Sequence, residues 1–156
     1  SGRAIIPQEP YGAGNDYLLP ARSLALWHYT NMNDPRWVWG EKYIKAKQDP
    51  ELIAEQKIGV LNKLGWIAYA LGRELMVKKF AFDPTAVYPD FGSNCEVYIN
   101  SALLEIETLG PLTILPPGTT IEHKEFWSLF SLEIDASEAS IDQNVLPLVK
   151  DFTMVK

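Results

Sequence analysis

Three segments decide the fold: Cys95-Glu-Val-Tyr-Ile-Asn100, Leu103-Leu-Glu-Ile-Glu-Thr-Leu109 and Ile121-Glu-His-Lys-Glu-Phe-Trp-Ser-Leu-Phe-Ser-Leu-Glu-Ile134. In an extended chain alternate residues share a face. Cys95, Val97 and Ile99 then lie on one side of the first segment, and Glu96, Tyr98 and Asn100 on the other. In the second, Leu104, Ile106 and Thr108 alternate with Glu105 and Glu107, two carboxylates about 7 Å apart at a rise of ~3.4 Å per residue. In the third, Lys124, Phe126, Phe130, Leu132 and Ile134 alternate with Ile121, His123, Glu125, Trp127 and Leu129. Gly110-Pro111 and Pro116-Pro-Gly118 separate the second and third segments as turns. Such alternation is the mark of antiparallel strands with one side on a core.

Working outward, the same grammar of short extended pieces and turns recurs. Ser23 to Thr30 is rich in strand formers and ends at Asn31-Met-Asn-Asp-Pro35. Residues 37–47 suggest a strand pair, and residues 57–61, 66–71 and 74–82 three more strands, with Gly65 and Gly72 as punctuation. Asp49-Pro50 ahead of Glu51-Leu-Ile-Ala-Glu55 predicts a short helix, with Asp49 as its cap. Ala139, Ile141, Val145, Leu146 and Val149 predict a terminal helix that Pro147 kinks. The expectation is a mainly β protein, an antiparallel β-sandwich with one or two short helices. Residues 1–21 are an extended lead-in, 22–135 the sandwich, and 136–156 a helical tail.

With 156 residues, 47% hydrophobic and 12% aromatic, the chain can bury a core without disulfides or metal. Cys95 is the single cysteine, so an internal disulfide and a Cys-rich zinc site are excluded. No cofactor and no metal are expected. The net charge of −6 hides an asymmetry: residues 1–79 sum to +3, and residues 80–149, with Lys124 as their sole cation, to −10. Nucleic acid is a poor partner for such a chain, and no apolar run is long enough to span a membrane.

The acidic stretch is the candidate site. Glu96, Glu105, Glu107 and Glu125, with His123, Tyr98 and Trp127, fall on the polar faces of the three strands. Carboxylates accept hydrogen bonds from hydroxyls, and aromatic rings pack on the C–H face of a pyranose, so the pattern suits a sugar. The alternative is a non-catalytic structural or assembly domain whose acidic face is solvated or meets a basic partner. Lys78, among Met76, Phe80 and Phe82, is a natural counter-ion for the acids if it is buried. His28 shares a face with Leu24, Leu26 and Thr30 and reads as a core histidine. Arg36 reads as a brace for its turn.

Tyr88-Pro-Asp-Phe-Gly-Ser-Asn-Cys-Glu-Val-Tyr98, Leu104-Glu-Ile-Glu-Thr-Leu-Gly-Pro-Leu112, Leu115-Pro-Pro-Gly118 and Glu122-His-Lys-Glu-Phe-Trp127 follow one another in a connected series. Residues 24–36, Lys57-Ile-Gly59, Gly65-Trp-Ile-Ala-Tyr69 and Met76-Val-Lys-Lys-Phe80 precede them. The series resembles the C-terminal half of a bacterial family of galactose-mutarotase-like (aldose 1-epimerase-like) proteins. That resemblance implies a two-sheet supersandwich, or half of one, with a sugar-binding hollow on one sheet. It further implies aldose epimerisation, in which a carboxylate takes the anomeric proton and a histidine protonates the ring oxygen. Glu107-Thr108 ahead of Leu115-Pro-Pro-Gly118 matches the element that supplies the base, which makes Glu107 the candidate base and His123 the candidate acid. Glu105, Glu96, Glu125, Trp127, Tyr98, Lys78 and Asp90 are the candidate sugar-binding residues. The Asn-His-x-Tyr motif of the mutarotases is replaced by Leu26-Trp-His-Tyr29. The full fold is longer than this chain, so a homo-oligomer or association with a missing N-terminal half is expected.

Overall fold

The computed structural model describes residues 1–9, 12, 14, 19–135 and 137–152. The described residues are mainly β, with ten strands in two antiparallel sheets. The larger sheet has the order β10-β7-β6-β1-β4-β3. Its strands are β1 (Arg3–Pro7), β3 (Trp37–Trp39), β4 (Tyr43–Lys47), β6 (Trp66–Leu71), β7 (Glu74–Phe80) and β10 (Glu125–Ser131). The smaller has the order β2-β5-β8-β9, from β2 (Ala25–Leu26), β5 (Gln56–Val60), β8 (Cys95–Ile99) and β9 (Leu104–Thr108).

Two cores hold these layers. Between the sheets lie Ala4, Ile6, Trp37, Ile44, Ile67 and Phe80 of the larger sheet, against Ile58, Val60, Cys95, Val97 and Ile99 of the smaller. On the far side of the larger sheet, Ile5, Tyr43, Trp66, Leu75 and Val77 pack on Ile141, Val145 and Val149 of the C-terminal helical segment. That segment begins at Ser137, whose hydroxyl accepts from the Ser140 N–H at 3.1 Å. It passes through a π-helical stretch, Ile141–Val145, and continues over Leu146–Asp151. The wide turn falls just before Pro147, so the kink expected there is absorbed as a π-bulge.

Three expectations are corrected. Residues 3–7 of the extended lead-in are an interior strand, β1, paired with both β4 and β6. Ala4 and Ile6 face one core and Ile5 the other, so β1 has no polar face to announce it. The helix after Asp49 does not form. Arg36, fully buried, is clamped by Asp34 at 2.8 Å and donates to the carbonyls of Leu52 (3.0 Å) and Ala54. Those carbonyls are turned to the guanidinium, and Asp49 closes only a local turn on the Glu51 N–H. Residues 23–30 form a strand only over Ala25–Leu26, and His28 is exposed in the following turn rather than in the core.

Candidate functional site

The outer face of the smaller sheet carries the first acidic cluster. On β8, Cys95, Val97 and Ile99 point into the core, so Glu96 and Tyr98 point out; on β9, Glu105 and Glu107 do the same. The register sets Glu96 directly opposite Glu107, an arrangement of like charges that costs stability unless something lies between them. Lys57 of β5 lies between them. Its ammonium contacts Glu96 Oε2 at 2.8 Å and Glu107 Oε2 at 3.0 Å, and stacks over the Trp27 ring at 5.0 Å. Burial works against this ammonium, but the two carboxylates outweigh it and hold the Lys57 pKa above its usual value.

Glu96 is only 2% exposed. Burial pushes its pKa up, Lys57 opposes, and a side-chain hydrogen bond with Asp90 and the charge of Glu107 add to the rise. Each glutamate spends Oε2 on Lys57, and among the described residues each leaves Oε1 buried with no hydrogen-bond donor, the Glu96 carboxyl lying against that of Asp90.

A cavity of about 480 Å³ lies beside this cluster, lined by Ala25, Leu26, Trp27, His28, Asp90 and Phe91. Trp27 and Asp90 each touch both, since Trp27 covers Lys57 and Asp90 acts on Glu96. Gly59 of β5 is what allows this closeness. A Cβ there would meet Ser93 Oγ at 2.4 Å and the Trp27 ring at 3.3 Å. The opposite wall is the tight turn Pro89–Gly92, in which Asp90 and Phe91 both adopt left-handed backbone (φ 48° and 60°). Two such non-glycine residues in succession store strain, and such strain gathers at functional sites. Ser93 secures the turn by donating its hydroxyl to the Asp90 carbonyl at 2.8 Å. The Phe91 ring is 97% exposed, at the lip of the cavity.

The second cluster lies between the sheets, on the other face of β9. Lys78 of β7 is buried and pairs with Glu125 of β10 at 3.1 Å, while donating to the Ile106 carbonyl at 2.9 Å. Thr108 donates to Glu125 Oε1, and its hydroxyl also contacts His123 Nε2 at 2.7 Å. Trp127 donates its indole N–H to Glu125 Oε2 at 2.9 Å and lies 5.0 Å from the Lys78 ammonium. Burial raises the Glu125 pKa, but Thr108, Trp127 and Lys78 together bring it below the usual carboxylate range.

The sequence-derived candidates therefore divide. Glu96, Glu107 and Asp90 come together around Lys57. Lys78, Glu125, His123 and Trp127 come together around Thr108. Base and acid candidates are separated, because Glu107 and Thr108 point to opposite faces of β9 and His123 is bound to Thr108. Glu105 is exposed, and Tyr98 turns away to donate to Glu55 at 2.8 Å. Lys57, Trp27, His28 and Phe91 were not among the candidates. Alternation from Ile58 places Lys57 outward, but only the pairing Lys57↔Tyr98 and Gly59↔Glu96 brings it to the acids. A larger cavity, about 910 Å³, lies between the larger sheet and the C-terminal helical segment and holds none of the acidic candidates.

Among the described residues no helix is long and apolar enough to cross a membrane. No protein-family model, no curated protein and no solved structure matches the chain.

Proposed function

We propose that the outer face of the smaller sheet binds a carbohydrate, with Glu96 and Glu107 receiving ligand hydroxyls at their free oxygens. The observation that carries this reading is the pair of buried, unpartnered Oε1 atoms beside one shared lysine. An unsatisfied buried acceptor costs roughly 1–3 kcal/mol, and two side by side are explained by donors that arrive from outside. A sugar brings several O–H donors at fixed spacing together with an apolar C–H face, for which the Trp27 and Phe91 rings are suited. The adjoining cavity is within the range of about 300–1,000 Å³ usual for small ligands. The galactose-mutarotase-like resemblance points the same way. On the assembly reading the acids would be solvated or offered to a basic partner, whereas here both turn onto Lys57.

For aldose epimerisation on this face, Glu107 is the base and Glu96 replaces His123 as the acid. Burial raises the Glu96 pKa, which favours its acid form relative to Glu107, and Glu96 lies directly across from Glu107.

Titration of the protein with a panel of aldoses, followed by Trp fluorescence and ligand-observed NMR, tests the binding. Glu107→Gln is expected to weaken the best ligand by about tenfold to a hundredfold, the worth of a charged hydrogen bond. Polarimetry on the same ligand tests for anomer interconversion. The site assignment fails if no aldose binds, or if Glu107→Gln binds as well as the wild type.

A further inference from the structure

β10 borders the six-stranded sheet. One edge pairs with β7 from Glu125↔Phe80 to Ser131↔Glu74, and no strand among the described residues pairs with the other. Free sheet edges are normally blunted by lysine, proline, a bulge or brevity. β10 has none of these. It runs for seven residues, Glu-Phe-Trp-Ser-Leu-Phe-Ser, and its one charge, on Glu125, is already paired with Lys78. The smaller sheet stops at β9, so Trp127 and Leu129, on the same face of β10, remain 61% and 79% exposed.

The order of these residues is close to a palindrome about Ser128. The Leu132 N–H donates to the Arg73 carbonyl, continuing the ladder, so even-numbered residues of β10 aim their backbone groups at β7. Glu125, Trp127, Leu129 and Ser131 therefore aim theirs outward. A second copy related by a two-fold axis at Ser128 sets Trp127 opposite Leu129, Phe126 opposite Phe130 and Glu125 opposite Ser131. Apolar side chains meet apolar ones, and no like charges face each other. The other edges lack this property. Self-pairing of β9 about Ile106 opposes Glu105 to Glu107, while β2 and β3 have only two and three residues.

We infer that β10 is a self-pairing edge, through which two copies of the chain join their larger sheets into one continuous antiparallel sheet. The interface is isologous, with Trp127 of each copy packed on Leu129 of the other.

Sedimentation equilibrium of the full chain, with Leu129→Lys and two cysteine variants, tests this. The wild type is expected to be dimeric, and Leu129→Lys monomeric at the same concentration with an unchanged circular dichroism spectrum. In the dimer the two Ser128 Cα atoms are about 4.5 Å apart, inside the about 4.4–6.8 Å that a disulfide spans. Ser128→Cys should thus cross-link fully under mild oxidation, and Ser131→Cys, whose partner is Glu125, should not. Cys95 does not compete, since it is fully buried and burial pushes its thiol pKa up to about 12. A wild type that stays monomeric overturns the inference. So does a dimer that survives Leu129→Lys, or one that cross-links through residue 131 instead of 128.

Discussion

Glu107 and Thr108 are neighbours on β9 and point to opposite faces, so one strand serves two acidic clusters of different construction. On the inner side Glu125 has all its demands met, by the ammonium of Lys78, the hydroxyl of Thr108 and the indole of Trp127. These bonds tie β10 and β7 of one sheet to β9 of the other, at the open end of the sandwich. On the outer side two carboxylates share one ammonium, and each keeps an oxygen buried and unpartnered. A saturated carboxylate holds structure together. On the proposed reading, an unsaturated pair is held ready for a ligand by the structure around it. The pKa shifts agree, since Glu125 is driven down and Glu96 up.

The largest expected effect comes from breaking the saturated cluster. Lys78→Met leaves Glu125 with the Thr108 and Trp127 hydrogen bonds but without its counter-ion, and one-sided removal of a buried pair costs about 3–5 kcal/mol. Glu125 keeps some exposure to water, so the lower end of that range is expected, read as a reduced urea midpoint at constant slope. A loss below about 1 kcal/mol would mean that the bridge between the sheets carries little.

Glu125→Gln is the milder break. Its charge-assisted bonds become neutral ones, for an expected loss of about 1–2 kcal/mol at pH 7. The folded pKa of Glu125 lies below its unfolded value, so its stabilisation is present above the unfolded pKa. It is lost as pH falls through the folded pKa. The stability gap between wild type and Glu125→Gln should therefore close on acidification. Urea midpoints measured at a series of pH values check this, and a gap that widens in acid contradicts it.

How much of this was legible depends on how local each determinant is. The alternation in β8 and β9 is complete within five residues each, and by itself it puts Glu96, Glu105 and Glu107 on the side opposite the core. β1 was not legible, because Ala4, Ile5 and Ile6 are buried on both faces and no polar residue marks the period. The helix after Asp49 is overridden from a distance by Arg36, which takes up the carbonyls of Leu52 and Ala54. The unified site fails for a related reason. Each strand's faces can be read alone, but which sheet a strand joins is a long-range choice. β10 pairs with β7 rather than with β9, so His123 and Trp127 belong to a different cluster from Glu107. Lys57 is the clearest omission, an outward lysine given its role entirely by register.

The smallest effect on stability should come from the unsaturated cluster, at Glu96→Gln. The substitution keeps the shape, gives up an ion pair with Lys57, and removes the burial penalty of a carboxylate that is 2% exposed. These terms oppose each other, so the net change at pH 7 is expected within about 1 kcal/mol. Its pH dependence has the opposite sign to that of Glu125. A carboxyl with a raised folded pKa contributes stability that is full below its unfolded pKa and is lost as pH rises through the folded value. Glu96→Gln removes that decline, so relative to wild type it should gain stability as pH rises through the folded pKa of Glu96. If the variant instead falls behind the wild type as pH rises, Glu96 is stabilised in its charged form. It would then resemble Glu125, and the distinction between a cluster that braces and a cluster that waits for a ligand would be lost.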